Sequence, residues 1–356
     1  MGVFSAVSFD EHEQVVFGHD RDSGLRAIIA VHDTTLGPAV GGCRMYPYAS
    51  EEAAVEDVLR LSRGMTYKSA LAGLPLGGGK SVIIGDPATH KTRSLMLAMG
   101  RFVDSLGGRY VAAEDSGTGV DDLRIMGETT AHVSGIATTE HGGDPSPSTA
   151  LGVFLSIRRA LAHRLGCDDL RGVRVAIQGL GHVGFDLARR LVTAGAEVRA
   201  ADMSAQRLER AERELGVQPM PIDEVMGADV DVLAPCALGG VLNRESIPAI
   251  RAGIVAGAAN NQLRHDSDAD RLADRGILYC PDFLINAGGI IDVHYQRSDG
   301  DRRNLEAHIA GIANRLDEVM QRSDNSHRST AVIAEELARE LLARQAKAPS
   351  QARIAA

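Results

Sequence analysis

Between Val173 and Asp202 the chain reads as a strand, a glycine-rich turn, a helix and a second strand, and no other stretch narrows the choice of fold as far. An apolar run, Val173-Arg-Val-Ala-Ile-Gln178, leads into Gly179-Leu-Gly181-His-Val-Gly184 and a helical pattern over 183–194. A strand at 197–201 follows, closed by Asp202, 23 residues after Gly179. In such a unit the first glycine permits a tight turn, the second lets backbone approach a pyrophosphate, and the third lets the helix close on the strand. Unpaired N–H groups at the helix start suit an anion. The pattern alone carries little weight; the strand before it and the helix after it give it meaning. The spacing therefore predicts a bound dinucleotide, with Gly179, Gly181, His182, Val183 and Gly184 at the cofactor. Asp202 is placed to accept hydrogen bonds from the adenosine ribose and to repel a 2′-phosphate, so the expected cofactor is NAD. Arg207, five residues later, flanks the adenosine. Without a ligand, Asp202 would serve as a helix N-cap.

This unit is one part of an alternating α/β chain. At 356 residues the sequence fits two domains. Helix 150–165 precedes the glycine turn; helix 204–215 and strands 230–233, 253–257 and 277–279 follow it. Upstream, Gln14–Phe17 and Leu25–Val31 read as strands. Ser50 caps a helix whose face is Val55, Val58, Leu59 and Ser62, with Glu51 and Glu52 in its first turn, and this helix delivers Lys68. Ser81-Val-Ile-Ile84 reads as a buried strand ended by Gly85-Asp-Pro87, followed by helix 92–106, strand 109–113 and helix 120–127. His141-Gly-Gly-Asp-Pro-Ser-Pro147 breaks the pattern and marks a boundary or hinge. The expected architecture is α/β with two domains and a cleft between them. The first, a substrate-binding and catalytic α/β domain, takes 1–146; the second, a Rossmann-type NAD-binding domain, takes 147–324. A C-terminal helix at about 325–349, amphipathic over 331–342, is expected to pack back on the first domain.

Composition removes several classes of function. A net charge of -9 with no clustered basic patch argues against a nucleic-acid or anionic-membrane partner. Cys43, Cys167, Cys236 and Cys280 are scattered and form no CxxC pair, so no metal site and no disulfide framework is expected, and a reducing cytosol fits. The first residues have neither a basic nor an apolar leader region, Ala6 stands where a myristoylation signal needs Ser or Thr, and no apolar run approaches the roughly 20 residues of a membrane helix. The expectation is a soluble cytoplasmic protein that acts on small molecules. Of its 38 basic residues only Lys68, Lys80, Lys91 and Lys347 are lysines. Two of these lie close together in a glycine-rich region, and an amine can be deprotonated where a guanidinium cannot.

The second of them ends Gly73-Leu-Pro-Leu-Gly-Gly-Gly-Lys80-Ser81, which suggests a phosphate loop at first sight. A phosphate loop has four residues between its first glycine and Gly-Lys-Ser; here Gly73 and Gly79 are separated by five, and the stretch precedes its strand instead of following one. That reading fails. Two lysines on a glycine-rich wall, with a nicotinamide cofactor in the other domain, point to an oxidoreductase site. Gly77, Gly78 and Gly79 are expected to let a flat substrate approach the backbone, and each lysine to lower the other's pKa.

At this point the residues carry a resemblance. Gly41-Gly-Cys-Arg-Met45, Tyr67-Lys-Ser-Ala-Leu-Ala-Gly73, Gly77-Gly-Gly-Lys80, Ala113-Glu-Asp115, Ala234-Pro-Cys-Ala-Leu-Gly-Gly240, Gly257-Ala-Ala-Asn-Asn-Gln262 and Asn286-Ala-Gly-Gly289 resemble the amino-acid dehydrogenases acting on glutamate, leucine, valine and phenylalanine. The resemblance runs nearly the whole chain and is nearest the bacterial phenylalanine, leucine and valine enzymes. It implies NAD-dependent, reversible oxidative deamination of an L-amino acid to a 2-oxo acid and ammonia, with phenylalanine favoured, leucine or valine next, and a homo-oligomer. By the same resemblance Lys68 holds the substrate carboxylate with backbone near Gly42, Lys80 is the general base that activates water, and Asp115 moves the amino-group proton. Thr149, Asn260 and Ala237 fall at cofactor-contact positions. Val40, Ala113, Ile290 and Val293 fall at side-chain pocket positions, and all are apolar, so an acidic substrate side chain would be left unpaired. Cys43 stands where the leucine and valine enzymes commonly have Thr, which tilts the reading toward phenylalanine. Outside the enzymes, the alternative is a non-catalytic NAD-binding regulator, which has no need of a tuned amine.

Overall fold

The computed structural model describes residues 2–136, 144–298 and 302–347. The chain divides into two compact units, one made of Met1–Gly143, Gln296–Asp299 and Ala338–Ala356, the other of Asp144–Tyr295 and Gly300–Leu337. Residues 141–143 of the expected hinge, and 348–349 of the expected last helix, lie outside the described residues.

The first unit is built on strands β1 (Gln14–Asp20), β2 (Leu25–Asp33) and β3 (Ala39–Tyr46), helix α1 (Glu51–Leu71), strand β4 (Gly77–Ile84), helix α2 (Arg93–Asp104), strand β5 (Tyr110–Ala113) and helix α3 (Val120–Met126). The sheet order is β1-β2-β4-β3-β5, antiparallel from β1 through β4 and parallel from β4 through β5. Ser50 caps α1 as the sequence suggests, its hydroxyl accepting from Ala53 N at 3.2 Å. Alternation along the strands sorts the two faces. Ala39, Cys43, Met45 and Ile83 join Met96, Met99 and Val103 of α2 and Leu123 and Met126 of α3 in one core. Ile28, Ala30 and Val82 face Ala54, Val58 and Leu59 of α1 in another. Both faces are thus covered, which is why β2 and β4 read as continuous apolar runs and not as alternating ones.

The strand through Lys80 is longer than expected. Its pairing begins at Gly77, so the three glycines belong to the sheet and not to a loop before it. Apolar periodicity cannot register glycines, which contribute backbone hydrogen bonds and no side chain. The sequence reading also passed over β3, whose Gly41-Gly42 pair masks it in the same way.

The second unit opens with α4 (Ser146–Leu165), four residues earlier than expected and with Pro147 in its first turn, followed by β6 (Arg174–Gln178), α5 (His182–Thr193), β7 (Glu197–Ala201), α6 (Ala205–Leu215), β8 (Gln218–Pro219), β9 (Val232–Pro235), β10 (Ile254–Val255), α7 (Asp268–Asp274), β11 (Leu278–Tyr279), α8 (Asp282–Ile285), α9 (Gly288–Arg297) and α10 (Arg302–Ser326). All its strand pairs are parallel, in the order β11-β10-β9-β6-β7-β8. Counted from β6 this is the doubly wound order 3-2-1-4-5-6, whose switch point lies between the first and fourth strands, at the turn after β6. The long α10 escaped the sequence reading. The last helix, α11 (Thr330–Ala346), carries Arg339, whose Nε donates to the Tyr67 hydroxyl at 2.9 Å and whose Nη2 lies 3.2 Å from Asp10 Oδ2. Among the described residues no helix is long and apolar enough to cross a membrane.

Candidate active site

In the first unit the chemistry gathers on the α1 side of the sheet. Register places Val40 beside Gly78, Gly42 beside Ala113, and Lys80 beside Ala30, with Val40, Gly42, Lys80 and Ala113 on the face opposite Cys43 and Met45. Lys80 is buried, and its ammonium forms an ion pair with the Asp115 carboxylate, which lies two residues beyond Ala113 on the same face. Lys68, near the end of α1, is also buried at 9% exposure. Gly42 lies against this pair: a Cβ there would sit 2.7 Å from the Asp115 Cβ and 3.0 Å from Lys80 Nζ. Only glycine fits, and its backbone is left bare beside the amine.

Burial raises the cost of ionising Asp115, yet Lys80 and then Arg44 outweigh it, and with the Ser116 amide donating to Oδ1 at 2.7 Å they hold the carboxyl down at about 2. At neutral pH the site contains a carboxylate in contact with an amine, an arrangement able to pass protons between them.

The glycine triad has a different duty from the one expected. A Cβ on Gly77 would overlap the Asp33 and Gly37 carbonyls, one on Gly78 would overlap Thr66 of α1, and one on Gly79 would lie 2.7 Å from the Tyr110 ring. Protein atoms, not a flat substrate, fill the space that the absent side chains leave. Tyr110 completes the support, its buried hydroxyl donating to Gly41 O at 2.7 Å and standing 3.0 Å from Ser81 Oγ. Cys43 is likewise corrected. It is fully buried in the core on the opposite face, where desolvation pushes its thiol up to about 12, and it has no bearing on the substrate face.

The second unit holds the dinucleotide turn. Gly179 adopts φ +98°, and a Cβ on it would lie 2.7 Å from the Ala237 Cβ. A Cβ on Gly184 would overlap the Gly179 carbonyl, whereas in front of Gly181, the residue that caps α5, there is open space. Turn, open approach and close packing are the three demands of a pyrophosphate cradle, so the residues present fit the dinucleotide. The His182 imidazole projects outward at 84% exposure and pairs with Asp144 at 3.0 Å, which leaves its backbone N–H, with that of Val183, to the helix start. Asp202 braces the turn: Oδ2 accepts from Leu180 N at 2.6 Å and Oδ1 from Ser204 N at 2.8 Å, with Arg207 Nη1 3.8 Å away. The helix-capping role falls not to Asp202 but to Ser204, which caps α6 with its hydroxyl accepting from Arg207 N at 3.4 Å. Asn260 is oriented by Asn286, whose Nδ2 donates to Asn260 Oδ1 at 2.8 Å and to Ala258 O at 3.1 Å. Thr149 on α4 meets the start of α9, since a Cβ on Gly289 would lie 2.6 Å from its Oγ1. Ile290 and Val293 sit three residues apart on α9 and so share a face of that helix in this unit. Among the described residues no cluster of His, Cys, Asp and Glu could hold a metal ion.

Sequence reasoning did not single out Asn286, Tyr110, Thr66, Arg44 or Asp57. Asn286 and Arg44 lie within quoted motifs, and that was their only signal.

A doubly wound cofactor unit and a buried Lys–Asp pair on a separate sheet define a nicotinamide-dependent oxidoreductase. The Glu/Leu/Phe/Val dehydrogenase dimerisation domain matches residues 12–132, and the Glutamate/Leucine/Phenylalanine/Valine dehydrogenase domain matches residues 199–348. The chain is 44% identical to a leucine dehydrogenase of Bacillus cereus over 96% of this chain and 93% of that one. It is 46% identical to a phenylalanine dehydrogenase of Bacillus thermotolerans over 88% and 84%. The crystal structure of L-tryptophan dehydrogenase from Nostoc punctiforme superposes with a TM-score of 0.80 at 42% identity, over 94% of this chain and 97% of that one. The chain belongs to the glutamate, leucine, phenylalanine and valine dehydrogenase family. It is an amino-acid dehydrogenase, and its cofactor is NAD.

Proposed function

We propose that this enzyme oxidatively deaminates L-phenylalanine to phenylpyruvate and ammonia, reversibly. The observation that carries the reading is the shared face of the first sheet, where Val40 and Ala113 flank Gly42, Lys80 and Asp115 in adjacent register. An acidic side chain seated beside Val40 and Ala113 would be buried with no partner, at a cost that an apolar one avoids. Lys68 holds the substrate carboxylate, aided by the bare backbone at Gly42. Asp115, held ionised, takes the proton from the amino group. When bound, NAD supplies the acceptor for the hydride leaving Cα. Lys80, acting in its free-amine form, takes a proton from water as it adds to the imine carbon, and Asp115 returns its proton to the nitrogen as the carbinolamine collapses to the 2-oxo acid and ammonia. Thr149, Asn260 and Ala237 serve the cofactor in the second unit. L-Leucine is the second reading, favoured by the longer match to the leucine dehydrogenase, at 96% of this chain against 88% for the phenylalanine enzyme. The assembly is a homo-oligomer formed through the first unit, which light scattering would measure.

The test is NADH formation with L-Phe, L-Leu, L-Val, L-Trp and L-Glu supplied separately, in the wild type and in Lys80→Ala. Phenylalanine fastest, with turnover lost and NAD binding kept in Lys80→Ala, is the expected result. Leucine fastest keeps the mechanism and overturns the substrate. No turnover with any of the five would leave a non-catalytic NAD-binding regulator.

A further inference from the structure

Arg44 follows Gly42 by two positions on β3, so its side chain leaves the sheet on the Lys80 face. Its Nη1 donates to Asp57 Oδ2 at 2.9 Å, and its Nε lies 3.5 Å from Asp115 Oδ2. Asp57, on α1, also accepts from the Tyr48 hydroxyl at 2.6 Å. The four side chains Asp57, Arg44, Asp115 and Lys80 form a row of alternating charge, exposed by no more than 19%. Tying β3 to α1 requires only the Arg44–Asp57 bond. The second contact uses a different edge of the guanidinium: its buried Nε, which makes no hydrogen bond, faces the same Asp115 oxygen that pairs with Lys80.

We propose that Arg44 is a positioning residue of the reaction: shared between Asp57 and Asp115, it holds the Asp115 carboxylate in place against Lys80. This rests on the proton-transfer role given to Asp115 above. A planar guanidinium presents donors on two edges at a fixed angle, so one side chain can hold both carboxylates in a set geometry, which the freely rotating donors of an ammonium do not fix. Asp115 follows the end of a four-residue strand in a turn that Thr118 closes, its N–H donating to Asp115 O at 2.9 Å; this holds the backbone, but the Oδ2 end of the side chain needs a fixed partner of its own. Arg44 supplies the missing restraint from a strand packed on both faces. Misplacing a proton-transfer group by a fraction of an ångström lowers turnover far more than it lowers substrate affinity.

Arg44→Met and Asp57→Asn separate this role from a structural one. Both weaken the Arg44–Asp57 bond, but only the first removes the contact with Asp115, and an asparagine oxygen still accepts from Nη1. Arg44→Met is expected to lower kcat about tenfold or more with the amino-acid KM within about twofold, while Asp57→Asn keeps kcat within about threefold of wild type. Equal losses of kcat in the two variants, or an unchanged kcat in Arg44→Met, would overturn the proposal. If Arg44→Met does not fold, Arg44→Lys takes its place. It keeps the charge but does not fix the geometry of the two carboxylates, so a loss of about threefold or more in kcat at unchanged KM is expected, and wild-type kcat overturns the proposal. Asp115→Asn is measured alongside: wild-type turnover in that variant would sink the role of Asp115 itself, whereas loss there with no effect at Arg44 sinks only the inference.

Discussion

Asp115→Asn tests the centre of the site because it removes a charge and keeps a shape. The carboxylate is almost fully buried, in an ion pair with Lys80 and 3.5 Å from Arg44, and it is held at about 2 against an ordinary 3.8. That gap is worth about 2 kcal/mol of folding stability at neutral pH. The sign follows from which state binds the proton more readily. Because the folded value is depressed, the contribution is complete above about pH 4, roughly half remains at pH 3, and it disappears as pH falls through 2. Stranding the Lys80 ammonium in the variant adds to the loss, toward the ~3–5 kcal/mol typical of breaking a buried pair. Removing a group that moves a proton costs kcat about 10²–10⁴-fold, equivalent to roughly 3–5 kcal/mol of barrier. Urea unfolding of both proteins at pH 7 and pH 3 reads the first effect, and steady-state NADH formation reads the second. NAD affinity is expected to stay unchanged, because the residue belongs to the other unit. A stability difference as large at pH 3 as at pH 7 would refute the electrostatic account, and a kcat within about tenfold of wild type would refute the catalytic one.

Two further outcomes are open to measurement. Gly184→Ala places a methyl group within the Gly179 carbonyl and must open the turn, so NADH affinity measured by fluorescence titration is expected to weaken about tenfold or more with far-UV dichroism unchanged; wild-type affinity would show that the turn does not cradle the cofactor. His32 is driven down to about 4 by burial and then by the neighbouring His12, so between pH 6.5 and 4 the unfolded chain binds a proton that the folded chain refuses, and stability falls with pH by about 3 kcal/mol. His32→Phe is expected to flatten that slope in urea unfolding at pH 7 and 4.5, and an identical slope would count against it.

How much of this was legible in the sequence depended on whether a residue's signal was local. The strand, turn and helix around Gly179–Gly184 stood out because each glycine's duty is set by its immediate neighbours, and the Ser50 cap for the same reason. The β4 start did not, because Gly77 through Gly79 are required by Asp33, Thr66 and Tyr110, which are distant in the chain. Sequence spacing alone therefore made a loop of what is sheet. Cys43 misled in the opposite way: a substitution next to a glycine pair looked like pocket chemistry, but alternation along β3 sends it into the core. Lys80 and Asp115 could be brought together only through the family resemblance, since 35 residues, with helix α2 and strand β5 among them, separate the two. Arg44 and Asp57 had no such guide, because a charge pair 13 residues apart looks like any surface pair until the fold buries it.

The glycine triad also bears on how such a protein can change. Along Gly77–Gly79 the strand has no side-chain thickness, so α1 rests directly on it through Thr66, and Tyr110 presses from the other face. The gap between the strand that carries Lys80 and the helix that carries Lys68 is thus set by main-chain dimensions. No series of small substitutions can widen it gradually, since even a methyl group is too large. Diversification of this scaffold is confined to residues such as Val40 and Ala113, which can grow, shrink or change shape one atom at a time without moving either amine.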